Sequence, residues 1–566
     1  MDKPRVQFVV RHWLVLVVVL GAFVALAARA IDLQVNRKGF LQNQGDIRHL
    51  RVVRSPAHRG VISDRHGDPL AISTPVVSLW IKPRELANQT ARWPELVQAL
   101  DMKLDALERL VAKRMRKDFV YLRRHVHPQL ARDVLDLEVA GVYAQREYRR
   151  YYPHAEVSAH VLGITNIDEQ GIEGMELAFD EWLTGRAGAK RVMQDRLGRP
   201  IADVESIQIT RHGQPLRLSL DQRLQYLAYR ALKSAVVRNS ARSGSVVLVD
   251  VPTGEILAMV NQPSFNPNSR ARGRGAERRN RAVTDLLEPG STMKPFTVAI
   301  GLQSGAFTDR SVIDTTPGRL RIGKHTIKDK RNYGPIDLRT VIQKSSNVGS
   351  SKIALKLDAH THWAWLSALG FGQPTGSGFP GESGGILTQA REWGEIRRAT
   401  LSFGYGLSVT PLQLAQAYVA IARDGMLQRL TFQFRQQPVP GRRILAPDVA
   451  RKVRGMMEAV VQPGSSGALA AIPGYRVAGK TGTAKKAAAT GGYAEGRYVA
   501  AFAGMAPASR PRLVCVVVLN DPAGKHYYGG QVAGPVFQSV VSNALRLLGV
   551  APDRPEELGQ ARLAGS

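Results

Sequence analysis

Apolar and polar positions follow three successive patterns along the chain. From His12 to Ala28 no residue carries a formal charge and Leu, Val and Ala dominate, while Lys3, Arg5 and Arg11 precede the run. This predicts one membrane-crossing helix over residues 12–30 with a cytoplasmic tail at 1–11, because basic flanks stay on the cytoplasmic side. Ala25-Leu-Ala27 also fits a small-residue cleavage site, so a cleaved signal peptide is the rival; the length of the apolar run favours a retained anchor. No second run of comparable length follows, which puts nearly all of the mass on the outer side of the membrane.

From residue 31 to about 235, short β-like runs such as Val76-Val-Ser-Leu-Trp80 mix with polar helical patterns such as Trp93 to Leu110. Three segments here pair glycines with opposite charges: Arg59-Gly-Val-Ile-Ser-Asp64-Arg65-His-Gly67, Arg150-Tyr-Tyr-Pro153 with His160 and Gly163, and Gly171-Ile-Glu-Gly174-Met-Glu176. They read as turns locked by buried ion pairs. The character changes near Ser243. Gly244-Ser-Val-Val-Leu-Val-Asp250 and Glu255-Ile-Leu-Ala-Met259 flank the turn Pro252-Thr-Gly254 and predict a hairpin. Helical patterns follow at Thr292–Ser304, Leu338–Leu357 and Pro411–Asp424, and strands close the domain near 474–483, 497–505 and 512–520. Strands, then helices, then strands predict an α+β fold with one antiparallel sheet and helices on its faces.

Composition adds three constraints. A chain of 566 residues with 44% apolar content exceeds one ordinary core, so two or more folded units are expected outside the membrane. The formal charge of +31 favours polyanions. The basic residues are scattered and no nucleic-acid-binding signature is present, so anionic lipid or wall polymer fits and nucleic acid is not expected. Ser269-Arg-Ala-Arg-Gly-Arg-Gly-Ala-Glu-Arg-Arg-Asn-Arg281 is the densest basic run; it reads as a solvated loop, with a grip on anionic wall or lipid as the alternative. Cys515 is the single cysteine and sits in Leu513-Val-Cys-Val-Val-Val-Leu519, a buried central strand by its pattern.

Three motifs supply candidate chemistry: Ser291-Thr-Met-Lys294, Ser345-Ser-Asn347 and Lys480-Thr-Gly482-Thr483. No other Lys has a Ser three positions before it, and Lys-Thr-Gly occurs once. Pro289-Gly290 ends a loop, so Ser291 opens a helix with Lys294 one turn on, on the same face. A serine hydroxyl needs a neutral base beside it, and an amine is neutral only when its pKa falls; a drop of roughly three units corresponds to about 4 kcal/mol, within reach of a buried pair of lysines. Ser345 and Asn347 can relay a proton and hold a substrate amide. Lys480 and Thr481 lie on an edge strand that can take an extended peptide as an added strand, with Gly482 following. Backbone N–H groups of Ser291 and Thr483 are the candidate oxyanion donors, and Lys480 with Thr483 can receive a terminal carboxylate. No metal ligand set or cofactor motif accompanies these residues.

With these motifs in place, the sequence resembles the class B penicillin-binding proteins, and more narrowly the division-specific peptidoglycan D,D-transpeptidases of Gram-negative bacteria. The resemblance is carried by the anchor, Arg59 to Arg65, Gly171 to Glu176, Asn280 to Phe296, Lys344-Ser-Ser-Asn-Val-Gly349, Ser402-Phe-Gly-Tyr-Gly-Leu-Ser-Val-Thr-Pro411 and Gly479-Lys-Thr-Gly-Thr-Ala-Lys-Lys486. It implies an elongated non-catalytic pedestal over 31–235, a transpeptidase domain over 236–555 with a five-stranded sheet and an all-helical subdomain, and a tail at 556–566. It further implies attack by Ser291 on the D-Ala-D-Ala bond of a stem peptide, release of D-Ala, transfer to a neighbouring amine, and slow-reversing acylation by β-lactams. Tyr498, Tyr527 and Tyr528 fall where the family places aromatic cleft walls. Implied partners are lipid-linked wall precursor, a glycosyltransferase of the SEDS family and other division proteins, at the septum of the inner membrane. His154 after Arg150-Tyr-Tyr-Pro153, where the family commonly has a small residue, and the arginine-rich loop hint at a paralogue. A class A β-lactamase is disfavoured, since no Glu-x-x-Leu-Asn lies between Ser345 and Lys480. An idle scaffold and an elongation-type enzyme are the remaining alternatives.

Overall fold

The structure, a computed structural model, describes residues 4–40, 50–194, 200–269, 275–487 and 492–557. It divides into two compact units, residues 1–58 with 185–213 and residues 59–184 with 214–566.

In the first unit the apolar run forms a helix of 28 residues, Pro4–Ile31, longer at its N-terminal end than 12–30. At 1.5 Å per residue it spans about 42 Å, enough to cross a hydrocarbon core of about 30 Å. Its apolar side chains, Trp13 and Phe23 among them, are exposed, and its length and composition fit a membrane anchor. The same unit contains a three-stranded antiparallel sheet with Gly188–Gln194 between Leu50–Ser55 and Pro200–Gln208.

The second unit begins with a sheet in which the long strand Pro69–Ile81 pairs with Val120–Val126 on one side and Val142–Tyr151 on the other. Leu79 and Ile81 point to one face, where Leu96, Leu107 and Val134 bury them. The helix expected from Trp93 to Leu110 is two helices, Trp93–Ala99 and Leu104–Arg114. Asp101 takes a left-handed φ of 48° between them, and the break lets both halves turn apolar residues onto the same sheet. The glycine-and-charge segments meet as read: the Glu176 carboxylate accepts from Arg59 Nε and Arg150 Nε, each at 2.6 Å, and all three side chains are buried.

Five of the strands from 241 onward form one antiparallel sheet, and the shorter ones pair off separately, Arg319–Ile322 with His325–Lys328 among them. The five are β1 (Ala241–Asp250), β2 (Ile256–Gln262), β3 (Ala478–Ala487), β4 (Tyr493–Ala506) and β5 (Leu513–Pro522), in the spatial order β2-β1-β5-β4-β3. β3 starts later than the expected 474 because Tyr475 N–H turns back to Ile472 O at 3.0 Å. Cys515 lies in the central strand, fully buried, and burial pushes its thiol up, away from reactivity. Strand alternation divides two cores. Val246, Leu248, Val517 and Phe502 face α1 (Gln222–Arg238) and, from the chain's end, the helix Gly534–Leu547; Val247, Val249, Val516 and Ala501 face the remaining helices. The expected domain boundary at 235–236 falls in the last turn of α1. Helices on the second face include α2 (Lys294–Gln303), α3 (Leu338–Gln343), α4 (Asn347–Lys356) and α5 (Pro411–Ala422). Of the arginine-rich run, residues 270–274 lie outside the described residues, as do 558–566 of the C-terminal tail; Arg279 and Arg281 pair with Asp285.

Candidate active site

Ser291 sits in a 3₁₀ turn, Gly290–Met293, that runs directly into α2. The turn is held from two sides. Thr292 Oγ1 donates to Pro289 O at 2.7 Å, and the buried Tyr418 hydroxyl of α5 donates to Thr292 O at 3.0 Å. β3 lies close against it: a Cβ on Gly482 would come 2.9 Å from Thr292 Cγ2 and 3.0 Å from Pro289 O, so only glycine lets the edge strand approach the serine this closely.

The helix read as continuous from Leu338 to Leu357 is broken between α3 and α4. Ser345 takes a left-handed φ of 58° in the break, a conformation a non-glycine residue adopts at a cost. What holds it there is the site itself. Lys294 Nζ donates to Ser345 O at 2.5 Å and lies 3.0 Å from Ser345 Oγ, 2.8 Å from Asn347 Oδ1 and 3.0 Å from Ser291 Oγ. Lys480 Nζ reaches the same Ser345 Oγ at 3.0 Å. The five residues singled out as catalytic candidates thus form one cluster: Ser291, Ser345 and Asn347 meet at Lys294 Nζ, and Ser345 Oγ is shared by the two lysines.

Both lysines are fully buried, yet no carboxylate pairs with either among the described residues. Burial pushes the Lys294 amine well below its ordinary value; the charges of Lys480 and Lys330 push the same way, and Asp329 opposes them. Burial, helped by Lys330, brings Lys480 down to about 7. A neutral Lys294 has two N–H bonds for Ser345 O and Asn347 Oδ1 and a lone pair that can accept the Ser291 proton.

The substrate-side candidates are placed less uniformly. Thr481 Oγ1 lies 3.1 Å from Ser466 Oγ, and Thr483 Oγ1 accepts from Gly529 N–H at 3.0 Å, so both hydroxyls already have partners. Tyr498, Tyr527 and Tyr528 stack in series with ring centroids 4.4 Å apart. This aromatic wall joins the site through the Tyr528–Gly529 backbone next to Thr483, and none of the three hydroxyls touches the lysines.

Two residues escaped the sequence reading. Asp329 anchors the start of α4: its carboxylate accepts from Ser346 Oγ at 2.6 Å, Asn347 N–H at 2.5 Å and Val348 N–H at 3.1 Å. Lys330 follows it and carries its ammonium 4.9 Å from the centre of the Tyr528 ring. Neither lies in a motif; the only signal is an acidic residue between two lysines, Lys328-Asp-Lys330.

Residues 244–542 match the model of the penicillin binding protein transpeptidase domain, and residues 54–218 that of the penicillin-binding protein dimerisation domain. The chain is 45% identical to peptidoglycan D,D-transpeptidase FtsI of Escherichia coli K12, over 94% of this chain and 91% of that protein. It is 38% identical to the FtsI of Buchnera aphidicola, over 94% of each. A solved transpeptidase domain of Burkholderia pseudomallei penicillin-binding protein 3 superposes with a TM-score of 0.55 at 42% identity, covering 59% of this chain and 97% of that one. With a dimerisation domain, a transpeptidase domain and Ser291 beside the buried Lys294 in one chain, the protein belongs to the class B penicillin-binding proteins.

Proposed function

We propose that the protein is a serine-type peptidoglycan D,D-transpeptidase that cross-links stem peptides in septal wall synthesis and is acylated by β-lactams. The observation that carries this is the fully buried Lys294 amine 3.0 Å from Ser291 Oγ, with its N–H partners already supplied by Ser345 O and Asn347 Oδ1. Lys294 takes the Ser291 proton as Oγ attacks the carbonyl of the penultimate D-Ala; the new C–O bond forms and the C–N bond to the terminal D-Ala breaks. The proton reaches the leaving amine through Ser345 Oγ, which both lysines contact. Backbone N–H groups of Ser291 and Thr483 hold the oxyanion, each worth about 3 kcal/mol in such sites. The acyl group then passes to an amine of a neighbouring stem. The donor lies along β3, whose outer edge has no strand neighbour in the sheet among the described residues. Thr481 and Gly482 shape that edge, and Tyr498, Tyr527 and Tyr528 wall the cleft.

Residues 31–235 serve as the non-catalytic pedestal and 236–555 as the catalytic domain. The helix Pro4–Ile31 anchors the chain in the inner membrane, and Arg5 and Arg11 keep the N-terminus cytoplasmic, so the catalytic domain works in the periplasm. Lipid-linked precursor, a SEDS-family glycosyltransferase and division proteins are the partners this reading implies. The test is incubation of the purified protein with a stem pentapeptide ending in D-Ala-D-Ala and a second stem bearing a free amine. Release of D-Ala with formation of the cross-linked dimer is expected; neither product, with no labelling by fluorescent penicillin, would identify an idle scaffold.

The two lysines also set a pH dependence. Lys480 is charged below about 7 and neutral above it, so its hold on a donor's terminal carboxylate weakens as pH rises through that value. Burial pushes the Lys294 amine down as well. The weakened hold of Lys480 is expected to raise KM for a carboxylate-terminated donor by up to about tenfold per pH unit above neutrality. Steady-state kinetics from pH 6 to 9 check this; a KM that is flat while the maximal rate falls would remove Lys480 from carboxylate binding.

A further inference from the structure

An exposed cation stands at the cleft without an acidic partner. Lys330 makes no ion pair among the described residues, and its ammonium lies over the Tyr528 ring at 4.9 Å. Its backbone is not free to wander. The preceding Asp329 is committed to Ser346, Asn347 and Val348, and Asn347 Nδ2 donates to Lys328 O at 3.1 Å. On the other side, Tyr528 precedes Gly529, whose N–H bonds to Thr483 of the edge strand. The ammonium therefore bridges the two walls that flank Ser291, the Ser345–Asn347 wall and the Lys480–Thr483 wall. Its charge is felt at both buried lysines.

We propose that Lys330 receives a carboxylate carried by the donor stem upstream of its scissile D-Ala-D-Ala bond. The inference rests on the transpeptidase reading and extends it to the part of the substrate that the motifs do not reach. An extended donor on β3 advances about 3.3 Å per residue, so a carboxylate one or two residues before the scissile bond lies at the cleft mouth when the carbonyl is at Ser291. Lys480 is poorly suited to that second anion. It is fully buried, bonded to Ser345 Oγ, and charged only part of the time near neutrality. Lys330 is exposed, and the face of Tyr528 supports its cation without neutralising it, so a substrate carboxylate can pair with it without displacing a protein partner.

The experiment compares two donors that differ at one group: a stem pentapeptide whose third residue carries a free side-chain carboxylate, and the same peptide with that carboxylate amidated. D-Ala release is followed with the wild-type protein and with Lys330→Gln and Lys330→Arg. The wild type should prefer the carboxylate donor by roughly fivefold in kcat/KM, the scale of a partly exposed ion pair, with the difference in KM. Lys330→Gln should bring the ratio close to one, and Lys330→Arg should keep it. A wild type that does not discriminate, or a Lys330→Gln variant that slows both donors equally, would overturn the assignment. Fluorescent-penicillin labelling of Ser291 is measured on every variant in parallel: labelling without discrimination rejects only the role of Lys330, whereas no labelling in any protein rejects the transpeptidase reading and this inference with it.

Discussion

Ser291→Ala is expected to lower acylation by penicillin by at least about 10³-fold, the usual consequence of deleting a nucleophile that acts with its base as a unit. The fold should be unaffected. Ser291 is only half-buried, and its side chain has one polar contact among the described residues, Lys294 Nζ. The turn is held instead by Thr292, Tyr418 and the close approach of Gly482, none of which the substitution touches. Intact-mass detection of the penicilloyl adduct, together with thermal melting, separates the two effects. An adduct that still forms would place the reactive hydroxyl elsewhere. A lost adduct with a lowered melting temperature would show that the hydroxyl also supports the turn.

The sequence made the catalytic sheet and the motif residues legible, because both depend on local patterns. Continuous runs of Val and Leu in β1 and β5 announce strands buried on both faces, and Ser-x-x-Lys at helical spacing announces a shared face. What could not be seen depends on contacts across long sequence separations. Helical periodicity continues through Ser345, and nothing nearby in the chain demands a break. The left-handed turn there is imposed by Lys294, some fifty residues away, and by Asp329, which caps α4 from the end of the strand His325–Lys328. The same holds for the helix expected from Trp93 to Leu110: its apolar spacing suits one helix, and only the shared sheet surface decides for two. The contacts of the edge-strand hydroxyls were also invisible in sequence: Thr481 Oγ1 meets Ser466 Oγ, and Thr483 Oγ1 accepts from Gly529 N–H while its own proton remains available to donate. Cys515 was placed correctly because a run of β-branched residues leaves a central strand little else to be.

The buried charge cluster of the second unit sets the other large effect. Glu176 holds two arginines with its two oxygens: Arg59 Nε and Arg150 Nε each lie at 2.6 Å, and Arg59 Nη2 also donates to the Glu176 backbone carbonyl at 2.7 Å. Arg59 has a second anion in Asp180, at 2.6 Å, whereas Arg150, besides Glu176, has a long contact to Ser73 Oγ at 3.3 Å and the more distant charge of Glu169, which Ser73 also bonds. Removing the carboxylate therefore takes from Arg150 its one direct ion pair among the described residues, and its Nη2 already lacks a partner among them. Glu176→Ala is expected to destabilise this unit by about 3–5 kcal/mol, the cost of leaving a buried charge uncompensated. Glu176→Gln, which keeps one acceptor oxygen and the shape, should fall between Ala and the native residue. Replacing Arg59, Arg150 and Glu176 together with apolar residues of similar volume should restore most of the loss, because desolvation of all three charges is then avoided. Urea unfolding of the purified protein followed by tryptophan fluorescence distinguishes these outcomes. If Glu176→Ala shifts the transition by less than about 1 kcal/mol, the cluster is hydrated in solution and does not lock the turns around Gly163 and Gly171.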